Sequence, residues 1–151
     1  MEKYAILLGY YDKQWKLIKK LYDEIININL SPYEMRYVFA MKTQQFYTAL
    51  EDLLKQIAKS FENHVQDLSA LHKELLIRLN TEIPKIRPKV LSTDSFLLLD
   101  KIRAFCHFIR HAYDCELDEV ELQQIQSKLK HHWQTLQTDF NDFKHYIFSL
   151  S

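Results

Sequence analysis

Apolar residues recur every three to four positions along most of the chain, and this spacing predicts a series of α-helices. Over residues 3–28 the apolar positions alternate with lysines and acidic residues at helical intervals, which predicts a long first helix. The same spacing returns over residues 32–62, 68–79, 94–112 and 120–150. We therefore expect about five helices, arranged up and down as a bundle.

Residues that favour helix starts lie between these segments. Ser31, Pro32 and Glu34 combine an N-cap serine, a proline at the first helical position and an acid three residues after the cap. Asp118 followed by Glu121 is an acidic version of the same pattern. These residues predict where the second and the last helix begin.

A short basic segment follows the third predicted helix. It contains Lys85, Arg87 and Lys89 around Pro84 and Pro88, and the prolines are expected to end the helix. Residues before proline avoid the helical region, so the segment should be extended. It is either a solvated connector or a contact for phosphate or a partner.

The composition supports the all-α class. The 151 residues include one glycine and three prolines, which leaves little material for the tight turns of a β-rich protein. The length suits a single domain over residues 1–151 with one core. Twenty basic and twenty acidic residues leave no net charge, so nucleic-acid or membrane binding would need a local patch.

Nothing in the chain predicts export or a membrane. No apolar run approaches the roughly 18 residues of a membrane-spanning helix, and the first residues do not resemble a signal peptide. Cys106 and Cys115 are the two cysteines, and their spacing does not suggest a disulfide framework. We therefore expect a cytoplasmic protein with free thiols.

Reactive side chains are densest in residues 101–118, KIRAFCHFIRHAYDCELD. If this stretch is a helix, one arc of roughly 100° is cationic and titratable, and it carries Arg103, His107, Arg110 and His111. Histidine suits proton transfer near neutral pH, and arginine suits a phosphate that gains charge in a transition state. The arc fits metal-independent RNA cleavage, although plain solvated helix faces also carry such residues.

A metal site is the weaker interpretation of these residues. His107 and His111 have a spacing that can chelate zinc, with Cys106 or Cys115 as a third ligand. No acidic residue lies inside the spacing and no CxxC pair is present, so we predict neither a metal nor another cofactor. Cys106 lies near the edge of the apolar arc and is expected to be a small buried residue. The remaining histidines, including His72, are expected at the surface or at its boundary with the core.

Residues 46–63 (FYTALEDLLKQIAKSFEN), 72–76 (HKELL), 87–88 and, most specifically, 105–118 (FCHFIRHAYDCELD) resemble a known family. They resemble the HEPN-fold ribonuclease toxins of the HepT-like kind, which are encoded beside a minimal nucleotidyltransferase (MNT) antitoxin. The resemblance implies an all-α HEPN-like bundle and a metal-independent endoribonuclease of a type II or VII-like toxin-antitoxin pair.

The family motif is an arginine, four to six residues, and then histidine-x-tyrosine. His111-Ala112-Tyr113 matches its second half. The resemblance implies that His111 acts in proton transfer during RNA cleavage, and that Tyr113 is the tyrosine that the antitoxin adenylylates to block the site. It also implies a homodimer whose two motif helices form one cleft, with RNA and the MNT antitoxin as partners.

The basic segment and the polar arc supply the candidate contacts to RNA. These candidates are His107, Lys85, Arg87 and Lys89.

The first half of the motif is altered. With four intervening residues the arginine position falls on Cys106, and a thiol cannot replace a permanent forked cation. Three explanations stay open. Arg103 or Arg110 supplies the charge from the same face, or the toxin is weakened or inactive. The third is that the cysteine is a substitution that makes a poisonous protein tolerable to its host. Enzymatic activity therefore stays open. The alternatives are an inactive HEPN binding module that dimerises and binds the antitoxin, and a helical adaptor unrelated to RNA.

Overall fold

The computed structural model of the chain describes residues 4–62, 72–111 and 116–150, and these ranges form a helical bundle. They contain five helices and no extended strand: α1 (Ala5–Ile26), α2 (Tyr33–Phe61), α3 (His72–Leu79), α4 (Thr93–His111) and α5 (Glu119–Ser149). The predicted all-α class and the predicted number of helices are confirmed. That residues 1–151 form a single domain stays a prediction.

The apolar faces of the five helices meet in one core. Helix α2 packs against α1, α3 and α4, and α5 packs against α1 and α4. Phe39, Phe46, Leu50 and Ile57 of α2 are fully buried, so this helix runs through the centre of the bundle. Burying each such side chain contributes about 1.5–3 kcal/mol. The other helices must pack around α2 to keep these side chains buried, so the position of α2 governs where they can lie.

Aromatic side chains join the first and last helices. The ring of Trp133 in α5 stacks on Tyr22 of α1 at 3.9 Å and on Trp15 of α1 at 5.6 Å. The buried Tyr11 hydroxyl donates a hydrogen bond of 2.6 Å to the carbonyl of Phe140. These aromatic side chains therefore stabilise the α1–α5 contact within the chain.

One of the two predicted helix starts is correct. The Asp118 carboxylate accepts a hydrogen bond of 3.0 Å from the Glu121 amide, and α5 begins at the next residue after Asp118. The predicted Ser31 cap is wrong, because α2 begins at Tyr33 with Pro32 at the N-cap position. The Ser31 hydroxyl instead donates to the Glu119 carboxylate at 3.2 Å. A contact between distant parts of the chain replaces the local one.

The basic segment is partly internal. The Arg87 side chain is 0% exposed, and it donates to the carbonyls of Thr81 at 3.0 Å and Arg78 at 3.1 Å. Its guanidinium also lies 3.5 Å from the Glu62 carboxylate. The structure therefore places Arg87 inside the fold and not on the surface, where the predicted RNA contact would need it. Lys85 and Lys89 are exposed.

Within the described ranges, no helix combines the length and the apolar character that a membrane span requires.

Candidate functional site

Helix α4 presents the predicted cationic face to the outside. Its inner side buries Leu98, Ile102 and Cys106 against the core. With that side fixed, the helical repeat turns the opposite residues outward. His107, Arg110 and His111 are exposed, and Arg103 is half-buried. The structure thus brings the four predicted polar residues onto one face of one helix.

The two histidines lie side by side in the last turns of α4. The ring centroids of His107 and His111 are 4.6 Å apart, with an angle of 54° between the rings. This contact follows from their separation of four residues. The described ranges contain no group of three or more His, Cys, Asp or Glu residues placed to hold a metal ion.

The two candidate arginines differ in whether an acidic side chain already forms an ion pair with them. Nε of Arg103 donates a hydrogen bond of 2.9 Å to the Asp100 carboxylate, and Nη2 lies 2.9 Å from the same oxygen in an ion pair. Arg110 donates to the backbone carbonyl of Cys106 at 3.4 Å, and no described carboxylate forms an ion pair with it. Arg110 is therefore the freer of the two for an external phosphate.

Cys106 is buried, as its place on the helix predicts. It is 3% exposed, and its sulfur lies 3.9 Å from the carbonyl oxygen of Thr43 in α2. Burial raises the pKa of the thiol from its ordinary 9.0 to about 12, although the nearby Arg110 charge acts in the opposite direction. A neutral, buried thiol is a poor nucleophile, which argues against catalysis by Cys106 itself.

A small cavity lies beside Cys106, where α2, α3 and α4 meet. Its volume is about 30 Å³, enough for one or two water molecules. It is partly open to solvent, and its lining is mostly polar and consists of Gln44, Tyr47, Thr48, Glu51, His72, Cys106 and Arg110. The cavity thus lies between Cys106, at the predicted position of the motif arginine, and Arg110 on the outer face.

Glu51 is the buried charge of this cavity. Its side chain is 9% exposed, and its carboxylate lies 3.0 Å from Nδ1 of His72 and 3.2 Å from Nζ of Lys55. Burial alone would raise the pKa of Glu51, but the hydrogen bonds from His72 and Lys55 outweigh burial, and the pKa is lowered. The carboxylate is therefore ionised at neutral pH.

Sequence reasoning missed both members of this pair. Glu51 interrupts the apolar side of α2, between the buried Leu50 and Leu53, and an acid at such a position was the available signal. His72 was expected at the surface or its boundary, as found, but without a role, and its ring bonds to a residue 21 positions earlier. No local pattern announces a contact of that range.

Residues 38–147 match the model of the HepT-like protein family. The chain belongs to the HepT-like family. The matched stretch includes the whole of α3 and α4, and with them Glu51, His72, Cys106 and His111. No curated protein and no solved structure matches the chain.

Part of the predicted site of this HepT-like chain lies outside the described residues. Tyr113, the predicted modification site, and Cys115 are both in that part. The roles predicted for His111, Arg103 and Arg110 remain predictions, as do the RNA contacts of His107, Lys85 and Lys89.

The buried state of Cys106 can be tested by its reactivity. At pH 8, a shift of the pKa from 9.0 to about 12 lowers the thiolate fraction by roughly a thousandfold. In a Cys115→Ser variant, in which Cys106 is the remaining thiol, we expect labelling by Ellman's reagent to be at least a hundredfold slower than in the same variant unfolded in urea. Equal labelling rates in the folded and unfolded states would contradict the burial described above.

Proposed function

We propose that this HepT-like protein is the toxin of a toxin-antitoxin pair and a metal-independent endoribonuclease. The observation that carries the proposal is the outer face of α4, where the exposed His111 follows Arg110, an arginine with no acidic partner among the described residues. Family membership supports the same class of protein. The inner face of α4 is packed into the core, so the outer side chains are held on a rigid support.

The chemistry assigned to this face is attack of an RNA 2′-hydroxyl on the adjacent phosphorus. His111 takes part in the proton transfers, because imidazole gains and loses a proton near neutral pH. Arg110 binds the phosphate and offsets the charge that builds up on its oxygens. Arg103 is the less suitable clamp because Asp100 already binds two of its nitrogens.

Cys106 supports the alternative function, a HEPN binding module with weakened or no cleavage. The motif arginine position holds a neutral group, 3% exposed, that contributes no charge to a phosphate. Such a module would dimerise and bind the antitoxin without cutting RNA. The two functions therefore differ in whether Arg110 replaces the missing cation.

Dimerisation is proposed together with the toxin function. The outer surface of α1 and α2 forms an apolar groove of about 940 Å³, which Ile109 of α4 also lines. Met41 in this groove is 63% exposed and Tyr37 is 50% exposed, so the groove offers contiguous apolar surface that a partner could cover. A second copy that covers this groove would lie next to the end of α4 and form a shared cleft.

Growth arrest on induction of the protein tests the toxin function. We expect His111→Ala to abolish the arrest, because loss of a proton-transfer group typically costs 10²–10⁴-fold in rate. Cys106→Arg should strengthen it, because it restores a permanent cation at the motif arginine position, where a phosphate would need one. His145→Ala, a change at an exposed histidine of α5, is the matched control and should behave like the unmodified chain.

Thermal unfolding of each variant shows whether the fold is retained. If the unmodified chain and Cys106→Arg are equally folded and equally harmless, the binding module replaces the toxin as the function.

Regulation by the antitoxin is proposed to occur at Tyr113. After incubation with the MNT nucleotidyltransferase, ATP and magnesium, the intact mass should increase by whole adenylyl units. Tyr113→Phe removes the acceptor oxygen and should prevent the increase, whereas Tyr33→Phe, a change at an exposed tyrosine of α2 outside the groove, should not. An unchanged mass with a partner enzyme that is active on another substrate would rule out this regulation.

A further inference from the structure

We propose that His72 is a second proton-transfer residue of the same site and that Glu51 is its positioning residue. The inference rests on the proposed ribonuclease function and extends it. The observation behind it is the pair formed by the Glu51 carboxylate and the His72 imidazole. The imidazole is partly exposed to solvent, and both side chains line the cavity beside Arg110.

The two partners are buried to very different degrees. The Glu51 side chain is 9% exposed, whereas the His72 side chain is 40% exposed. Nδ1 of His72 lies 3.0 Å from the carboxylate, so the imidazole is held by one nitrogen. The other nitrogen, Nε2, has no hydrogen-bond partner among the described residues. This is the arrangement in which a carboxylate orients a histidine for proton transfer.

The charge state of Glu51 decides which nitrogen carries the proton. An ionised carboxylate only accepts hydrogen bonds, so Nδ1 of His72 must be the donor. Lys55, at 3.2 Å from the other carboxylate oxygen, helps to keep Glu51 ionised despite its burial. The neutral imidazole then has a free lone pair on Nε2, which is what a general base requires.

The cavity places this pair next to the outer face of α4. His72 and Arg110 both line it, and Arg110 directly precedes His111 in the chain. The Tyr47 hydroxyl is a further polar group in the lining. Tyr47 is 4% exposed, and burial together with the Glu51 carboxylate beside it raises the pKa of its hydroxyl. The hydroxyl therefore keeps its proton at neutral pH and can donate a hydrogen bond.

A second histidine completes the chemistry of RNA cleavage. Nε2 of His72 takes the proton of the 2′-hydroxyl, and the 2′-oxygen forms a bond to phosphorus. The bond between phosphorus and the 5′-oxygen breaks, and that oxygen takes a proton from the imidazolium of His111. Arg110 offsets the phosphate charge meanwhile. The products are a 2′,3′-cyclic phosphate and a 5′-hydroxyl, and no metal or other reactant is consumed.

The competing explanation is that Glu51 and His72 only tie α2 to α3. His72→Asn separates the two explanations, because the asparagine amide can still donate to Glu51 but offers no second ring nitrogen. We expect this variant to keep the unfolding temperature of the parent and to cleave RNA about 100-fold more slowly or worse. His145→Asn is the matched control, with no expected change. Both variants are made in the unmodified chain, which is then the parent. If Cys106→Arg cleaves RNA and the unmodified chain does not, Cys106→Arg is the parent instead.

The tautomer of His72 gives a test that does not depend on activity. Nitrogen NMR of ¹⁵N-histidine-labelled protein should show His72 with its proton on Nδ1, and Glu51→Gln should yield a mixture of the two tautomers. His72 with its proton on Nε2 in the parent would overturn the positioning role of Glu51.

The activity assays distinguish failure of this inference from failure of the proposed function. Full cleavage by His72→Asn together with loss of cleavage in His111→Ala would overturn the role of His72 and leave the ribonuclease standing. Absence of cleavage by both the unmodified chain and Cys106→Arg would overturn both.

Discussion

The packing of α4 against α2 is the contact on which the candidate site depends. Leu98, Ile102 and Cys106 are buried against the core, and this fixes the rotation of α4 about its axis. His107, Arg110 and His111 face outward as a result. A rotation of one residue, about 100°, would bring cationic side chains into the core, where an unpaired charge costs several kcal/mol. The same apolar contacts that stabilise the bundle therefore also present the polar face.

A second constraint comes from the charge inside α2. Glu51 is buried in the central helix and must be paired, because an isolated carboxylate in the interior would be strongly destabilising. Lys55 from the next turn and His72 from α3 supply the partners. The altered motif residue faces the same cavity, so the chain carries a negative group next to the position where the family motif has its cation. The effect of the missing motif cation at Cys106 and the role proposed for His72 therefore concern the same cavity.

Sequence patterns predicted the helices and the polar face because both depend on local spacing. The Asp118 cap followed for the same reason, since its partner is three residues away. The errors involve partners that lie beyond the three- and four-residue spacing of a helix. Ser31 binds Glu119 instead of capping α2, and Arg87 is drawn inside by the carbonyls of α3 and the loop after it. The pairing of Glu51 with His72 depends on where α3 packs, which periodicity does not indicate.

The most direct measurement is the analysis of RNA ends after incubation of the purified protein with RNA in excess EDTA. The unmodified chain, or Cys106→Arg if the missing cation limits the rate, should produce fragments with 2′,3′-cyclic phosphate and 5′-hydroxyl ends. His111→Ala purified in parallel should produce none. Intact RNA with both forms, or equal cleavage by His111→Ala, would contradict the account.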